Sequence, residues 1–284
     1  MDHNAAVICF LLFYRSRPCI FYQVSTLSDV NDLVSELEGE VFFRGHSNAN
    51  YQLQPSIMRS NEWLSHESEM YNAIQIACPE EFENCNSCFE RLVKMQHYGL
   101  PTRLLDVTSN PLVALYFACE SNADQYGELV LIRSPKGTTP QYYNAETVSI
   151  LSNLTSISFQ DYCALLTHFS SVDYKKAASR LLDSVHREKP YIDMVDDLRG
   201  SCIVYALKKN DRIIKQDGAF ILSGLIRSCE ELDVFRYTSD KKIVVALIDN
   251  KKKMLKSLDT FSINEASLFP EIDKVAEYLK RKYS

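Results

Sequence analysis

The sequence of 284 residues has no excess of positive charge, since its formal net charge is −6. It therefore lacks the global basic field that would draw a protein onto nucleic acid or anionic lipid, although a local basic groove remains open. Its nine cysteines are odd in number and scattered, whereas secreted disulfide scaffolds are short and evenly paired. We therefore predict reduced thiols and a cytoplasmic location.

The apolar run near the N-terminus, Ala5–Phe13 (AAVICFLLF), is too short to span a bilayer as a helix. A signal peptide would carry positive charge before such a run, but Asp2 precedes it, and Arg15 and Arg17 follow it. We expect a buried strand or a short helix in this segment and no association with a membrane.

Sequence motifs of several common catalytic classes are also missing: GxGxxG, the P-loop and GxSxG do not occur. Cys85 and Cys88 form one CxxC, with Cys78 before it and His97 after it. A zinc site would need all four side chains to converge, and no second CxxC supports it. We therefore predict no metal site.

The hydrophobic pattern, with 46% apolar residues, is typical of a folded domain in which helices and strands are dispersed along the chain. The predicted helices cover 28–37, 62–77, 87–98, 111–119 and 272–282. The predicted strands cover 40–43, 127–133, 201–207, 219–222 and 243–249. We predict an α+β fold with a mixed, mostly antiparallel sheet at its core.

No internal repeat, low-complexity tract or composition break divides the chain. We predict an N-terminal extension over 1–24 and one domain over 25–284, in which 134–199 is helical or irregular elaboration. Within the domain, we expect Lys251–Lys253 to be a solvated helix start. Glu277 and Arg281 lie one helical turn apart and are expected to pair.

The first candidate functional segment is FFRGHS, residues 42–47. A strand that ends in Arg44-Gly45 places a cation at the strand end, and the glycine would let a ligand approach the backbone. Arginine can hold a phosphate or carboxylate through two parallel hydrogen bonds. The alternative is an arginine that pairs with a buried acid.

The second candidate segment, Met95–Asn110, places many polar residues between two apolar helices. It contains Gln96, His97, Tyr98, Thr102, Arg103 and Asp106. Polar groups near a core need partners, so they could form the wall of a polar pocket. Alternatively, an Arg103–Asp106 ion pair fixes the turn, and His97 is a helix cap.

The third candidate segment, Arg212–Phe220, contains Gln216 and Gly218 at the mouth of a strand. Gln216 could present an amide to a ligand. The alternative is a hairpin turn at Asp217-Gly218.

These three segments resemble the FRG-domain family, which is named for an aromatic-Arg-Gly motif, seen here as Phe43-Arg44-Gly45. The resemblance continues in NYQLQPSIMR (50–59), QHYGLPTRLLDVTSNPLVALYFA (96–118), RIIKQDGAF (212–220) and INEASLFPEIDKVAEYL (263–279). It spans roughly residues 25–279. Val107 departs from the family pattern, which usually has tryptophan at this position.

The resemblance implies a link to ADP-ribosyltransferases, in which an arginine at such a strand helps to hold NAD. It implies an ADP-ribosyltransferase-like sheet and catalytic roles for Arg44, Asp106 and Gln216. The implied NAD contacts are Arg44, Gly45, Gln96, His97, Tyr98, Thr102 and Arg103. NAD would be the substrate and nucleic acid or protein the acceptor. A toxin or antiphage effector, restrained by an inhibitory partner protein, would fit this activity.

Two other functions remain open, because the catalytic glutamate usual in transferases has no recognisable motif here. Gln216 occupies the late-strand region where that glutamate is expected, and Glu128 and Glu230 are weaker substitutes for it. One alternative is a non-catalytic module that recognises a nucleotide, nucleic acid or partner protein. The other is a nuclease-like activity from His97 and Asp106, although no clustered carboxylates suggest the metal site it would need.

Overall fold

The computed structural model describes residues 17–167, 169, 171–193, 198–209 and 211–283. Its strands are β1 (Cys19–Val24), β2 (Phe42–His46), β3 (Leu104–Thr108), β4 (Gly127–Ile132), β5 (Gln141–Tyr142), β6 (Cys202–Tyr205), β7 (Gly218–Leu222), β8 (Thr238–Ser239) and β9 (Lys242–Ile248). The apolar segment 5–13, for which a buried strand or a short helix is predicted, lies outside the described residues.

The helices lie between these strands and after β9, and the described residues include three short 3₁₀ helices, Ser56–Arg59, Leu154–Ser156 and Cys229–Phe235. The α-helices are α1 (Leu27–Ser35), α2 (Asn61–Ser65), α3 (Glu67–Ala77), α4 (Pro79–Phe82), α5 (Cys88–His97), α6 (Pro111–Cys119), α7 (Glu146–Asn153), α8 (Phe159–Leu165), α9 (Val172–His186), α10 (Asp211–Lys215), α11 (Lys251–Thr260), α12 (Glu265–Leu268) and α13 (Ile272–Lys282). Within the described ranges, no helix has the length and apolar character needed to cross a membrane.

The described strands form one sheet in the order β1-β9-β4-β2-β3-β7-β6-β5, with β8 paired to β9. Two pairings, β1–β9 and β5–β6, are parallel, and the other pairings are antiparallel. The predicted α+β fold with a mixed, mostly antiparallel sheet is therefore confirmed.

The sheet is split at its centre, where β2 and β3 are joined by one residue pair, Phe43 with Thr108. By contrast, β2 pairs with β4 along its whole length, and β3 pairs with β7 along its whole length. Among the described residues, no ladder connects 44–46 with 104–107. We call this opening between the two strands the fork.

Helix α6 packs directly on β2 beside the fork. A Cβ atom built on Gly45 would lie 2.0 Å from the carbonyl oxygen of Ala114 and 2.4 Å from the backbone nitrogen of Ala118. Contacts this close are impossible for a real side chain, so only glycine allows the helix to seat here. Gly45 was predicted to let a ligand approach the backbone, whereas the backbone of α6 occupies this space.

Several strand predictions need correction. The strand predicted over 40–43 extends to His46, because β2 pairs with β4 as far as His46. Arg44 therefore lies in the middle of β2 rather than at its end. Strand β3 was missed within the segment expected to be a turn. Strand β1 lies inside the predicted extension 1–24, yet it pairs with β9 along its whole length.

The helix predictions are largely confirmed, with local corrections. Thr26, not Ser28, caps α1, since its hydroxyl accepts from Asp29 N while the Asp29 carboxylate accepts from Thr26 N. The helix predicted over 62–77 is divided into α2 and α3 at His66. The expected Glu277–Arg281 pair is replaced by Glu277–Lys274 and Arg281–Glu265 ion pairs.

Lys251 contradicts the prediction of a solvated helix start, because it is buried. Its ammonium group donates to the carbonyl oxygens of Ser47, Ser121 and Asn122 at 2.5, 2.9 and 2.8 Å. These contacts tie the end of β2 to the segment that follows α6. Lys252, the next residue along α11, is exposed as predicted.

Candidate functional site

A cavity of about 600 Å³ lies at the fork, with walls from β2, β3, β7, α5, α6 and α10. We call it the fork cavity. It brings together residues from all three segments singled out in the sequence. The predicted site residues in its wall are Arg44, Gly45, Gln96, His97, Asp106 and Gln216.

Three predicted NAD contacts lie elsewhere. Tyr98 is exposed, donates to Glu81 Oε2 at 3.3 Å and lines a second cavity of about 410 Å³. Thr102 is buried and its hydroxyl donates to Gln96 Oε1, so it orients a side chain of the fork cavity without lining the cavity. Arg103 is fully buried away from the cavity.

The proposed internal pair between Arg103 and Asp106 is wrong, because Arg103 pairs with Glu67 of α3. Arg103 Nε donates to Glu67 Oε1 at 2.9 Å, and Nη2 donates to Glu67 Oε2. Arg103 Nη1 also donates to the carbonyl oxygen of Ser223 at 3.3 Å. Asp106 points to the opposite face of β3 from Arg103 and is exposed in the fork cavity.

Arg44 spans the fork. Its Nη1 donates to the carbonyl oxygen of Asp106 at 2.7 Å, and its Nε donates to His46 Nε2 at 3.3 Å. The first bond satisfies a β3 carbonyl that has no ladder partner on β2. The alternative of a pair with a buried acid is wrong for these contacts, because neither accepting atom belongs to a carboxylate. Burial lowers the pKa of Arg44 and nearby Asp106 raises it, and the guanidinium stays protonated at neutral pH.

Comparison with known families identifies the part of the chain that forms the fork. Residues 39–127 match the model of the FRG domain. The chain contains an FRG domain. No curated protein and no solved structure matches the chain. The matched residues include Arg44, Asp106 and α6, whereas Arg212 and Gln216 lie beyond the match and line the same cavity.

The fork cavity contains three charged residues for which no role was predicted: Arg59, Glu120 and Arg212. Arg59 lies at the end of the NYQLQPSIMR segment and Arg212 at the start of RIIKQDGAF, so both were visible as parts of the resemblance. Glu120 follows directly after the apolar helix α6, and no local pattern marks it.

These charged residues form two electrostatically coupled groups. Asp106 raises and Arg59 lowers the pKa of Arg44, which places the three near one another. Burial raises the pKa of Glu120, and Arg212 opposes that rise. Burial lowers the pKa of His97, Arg212 lowers it further, and Glu271 raises it. The imidazole of His97 is therefore neutral at physiological pH.

Gln216 lies at the junction of α10 and β7. Its side-chain Nε2 donates to the carbonyl oxygen of Leu268 at 3.1 Å, and its own carbonyl oxygen accepts from Thr108 Oγ1 at 2.6 Å. The predicted hairpin turn at Asp217-Gly218 is wrong, because Asp217, at φ 45°, joins a helix to a strand. Gln216 also lines the fork cavity.

The two substitute glutamates lie outside the fork cavity. Glu128 is fully buried in β4 and its Oε1 accepts from Arg236 Nη1 at 2.7 Å. Arg236 also donates to Asp233 at 3.2 Å. Glu230 is exposed in the 3₁₀ helix Cys229–Phe235. The carboxylates that line the described part of the cavity are those of Asp106 and Glu120.

Proposed function

We propose that the fork cavity binds NAD and that the protein transfers ADP-ribose from NAD to a nucleic-acid or protein acceptor. The observation that carries this proposal is the joint placement of three arginines and two carboxylates in one cavity. The arginines are Arg44, Arg59 and Arg212, and the carboxylates are Asp106 and Glu120.

The size and charge of the cavity fit a dinucleotide. Ligand pockets commonly enclose roughly 300–1,000 Å³, and the fork cavity has about 600 Å³. Guanidinium groups bind phosphate oxygens through paired, charge-assisted hydrogen bonds. Arg44 suits this task best, because the two atoms that accept its hydrogen bonds, a carbonyl oxygen and an imidazole nitrogen, carry no negative charge.

The transfer breaks the bond between the ribose C1 and the nicotinamide nitrogen. The bonding electron pair leaves with nicotinamide, which neutralises its ring, while positive charge develops on the ribose. A carboxylate opposed to that charge stabilises the transition state. Asp106 is assigned this role, since it is exposed in the cavity beside Arg44.

The acceptor then forms a bond to C1 through oxygen or nitrogen and loses a proton. His97 lines the same cavity and is neutral at physiological pH, so its imidazole can accept that proton. Gln216 orients the ribose or the acceptor through its side-chain oxygen, while its Nε2 is held by Leu268.

The test uses NAD labelled on its adenylate, incubated with the purified protein and a cell lysate. We expect label to move onto nucleic acid or protein as nicotinamide is released. Arg44→Ala and Asp106→Asn should each reduce transfer about a hundredfold, the usual scale for losing one electrostatic stabiliser. Arg133→Ala and Asp124→Asn, at exposed positions outside the cavity, should leave transfer unchanged.

The alternative outcomes separate related activities. Transfer that survives both Arg44→Ala and Asp106→Asn would contradict the assignment of these residues. Release of nicotinamide without transfer would indicate NAD hydrolysis. Folded protein that gives neither signal would contradict catalysis.

A non-catalytic nucleotide-binding module is the second candidate. It is favoured by the position of Glu128, whose carboxylate is held by Arg236 outside the cavity and cannot act on a ligand there. In that case NAD would raise the melting temperature of the protein without being consumed. The same samples analysed for nicotinamide distinguish the two candidates.

A further inference from the structure

A buried histidine and a buried carboxylate stand directly behind Arg44. Residues Arg44 and His46 are two apart in β2, so their side chains lie on the same face of the sheet. His46 pairs in register with Glu128 of the neighbouring strand β4. Both His46 and Glu128 are almost completely buried.

The direction of the hydrogen bond fixes the protonation of His46. A guanidinium group has only donors, so His46 Nε2 must accept the bond from Arg44 Nε. The proton of the neutral imidazole is therefore on Nδ1. That atom faces Glu128 Oε2 at 3.6 Å, slightly longer than a hydrogen bond. The negative charge of Glu128 favours the tautomer that directs N–H toward it.

Glu128 is itself anchored and ionised. Arg236 donates to Glu128 Oε1 at 2.7 Å, and Arg236 is held in turn by Asp233. Burial raises the pKa of Glu128, but Arg236 and His46 together outweigh it, so the pKa is lowered overall. Burial lowers the pKa of His46. These directions agree with an anionic carboxylate beside a neutral imidazole.

We infer that Glu128 and His46 are positioning residues that hold Arg44 in the orientation required to bind an anion in the fork cavity. The guanidinium has five N–H groups. One is used by His46 and one by the Asp106 carbonyl oxygen, which leaves three for a ligand. The inference rests on the proposed function only for the identity of that ligand.

The stability of the fold does not by itself explain why His46 and Glu128 are buried behind Arg44. Burying charged and polar groups costs free energy that well-packed apolar side chains would not cost. In contrast, a fixed guanidinium loses less side-chain entropy when it binds an anion. The burial of His46 and Glu128 is therefore explained by the preorganisation of Arg44 for binding an anion.

The direct test is nuclear magnetic resonance of protein with isotope-labelled histidine and arginine side chains. We expect His46 to be the neutral Nδ1–H tautomer and the Arg44 Nε–H to exchange slowly with solvent. In His46→Leu that slow exchange should be lost. An Nε2–H tautomer, a charged imidazole, or rapid exchange of Arg44 Nε–H in the wild type would overturn the inference.

Binding of inorganic pyrophosphate provides the functional readout. His46→Leu should weaken binding about tenfold, the scale of one charge-assisted hydrogen bond. His46→Gln should restore most of it, because its side-chain oxygen can accept from Arg44 where Nε2 does. His66→Leu, at an exposed position between α2 and α3, is the matched control. Equal binding by His46→Leu and wild type, with both folded, would also overturn the inference.

The two proposals fail in different ways. If the wild type binds neither pyrophosphate nor NAD but shows the expected tautomer and a protected Arg44 Nε–H, the proposed function fails and the positioning of Arg44 stands. If NAD is turned over while His46 is the Nε2–H tautomer, the positioning inference fails and the proposed function stands.

Discussion

Arg44, in β2, and Arg103, directly before β3, show two uses of the same side chain. Arg103 is fully buried and meets the carboxylate of Glu67 through two bonds, so its charge is neutralised by the protein. Arg44 meets a carbonyl oxygen and a neutral imidazole, and it faces a cavity. The partners, not the residue type, therefore separate a structural arginine from one that is available to a ligand.

The largest effect should come from breaking the neutralised pair. Glu67→Gln leaves Arg103 as a buried charge without a carboxylate partner, which should destabilise the protein by about 3–5 kcal/mol. Urea unfolding measures the loss. Glu69→Gln, exposed on the same helix α3, should change the unfolding free energy by less than about 0.5 kcal/mol. A small effect of Glu67→Gln would contradict a structural role for the pair.

Lys251 is a third buried cation, and its partners are uncharged but use all three of its donors. We therefore expect Lys251 to stabilise the fold, although none of its partners carries a negative charge. Lys251→Met leaves three carbonyl oxygens without that donor and should cost about 2–3 kcal/mol. Lys252→Met on the exposed side of α11 is the control for thermal and urea unfolding. Equal stability of the two variants would show that the number of donors in use does not identify a buried cation with a structural role.

Arg44→Ala should have the opposite pattern, with a small loss of stability and a large loss of binding. We expect the affinity for ADP-ribose to fall about 10- to 100-fold, since hydrogen bonds between charged groups are lost. The unfolding free energy should fall by only about 1 kcal/mol. Isothermal titration calorimetry and urea unfolding of the same samples test both parts. A variant that unfolds easily but binds normally would reverse the roles assigned to Arg44 and Arg103.

The smallest effect concerns the pH dependence of binding. Burial raises the pKa of Glu120, so its folded pKa exceeds its unfolded value and the neutral form persists to higher pH. As pH rises through the raised pKa, the new negative charge should weaken ADP-ribose binding about threefold. His97, whose pKa is lowered, also loses its positive charge as the pH rises through the acidic range. The titration of both groups should therefore weaken ADP-ribose binding as the pH rises.

Glu120→Gln separates these two contributions. Affinity measured across the acidic range should retain only the part caused by His97 in this variant. Identical pH profiles for wild type and Glu120→Gln would show that Glu120 does not face the bound phosphates.

Local sequence patterns predicted much of the fold but not the fork. The helices α5, α6 and α13 and the strands β4 and β9 follow from runs of apolar residues with clear endings. Strand β3 was missed, because Asp106 interrupts a short apolar run and the flanking turn residues resemble a loop. Its backbone is instead held by β7, a partner more than 100 residues away in sequence.

The site was predicted in part for the same reason. Arg44, Asp106 and Gln216 belong to recognisable segments, and the fold brings them to one cavity. Arg44 and His46 are two positions apart in a strand and so share one face of it, which could have suggested their contact. Glu128 could not have been linked to His46, because that contact depends on the register of β2 with β4. Glu67, the partner of Arg103, is likewise fixed only by tertiary packing.

A crystal structure of the protein with ADP-ribose would show whether Arg44, and not Arg103, binds the phosphates, because it locates the phosphates relative to both arginines. We predict phosphate oxygens in the fork cavity within hydrogen-bond distance of Arg44 Nη1 or Nη2, with the Arg103–Glu67 pair unchanged. A ligand bound elsewhere, or phosphates that do not contact Arg44, would contradict it.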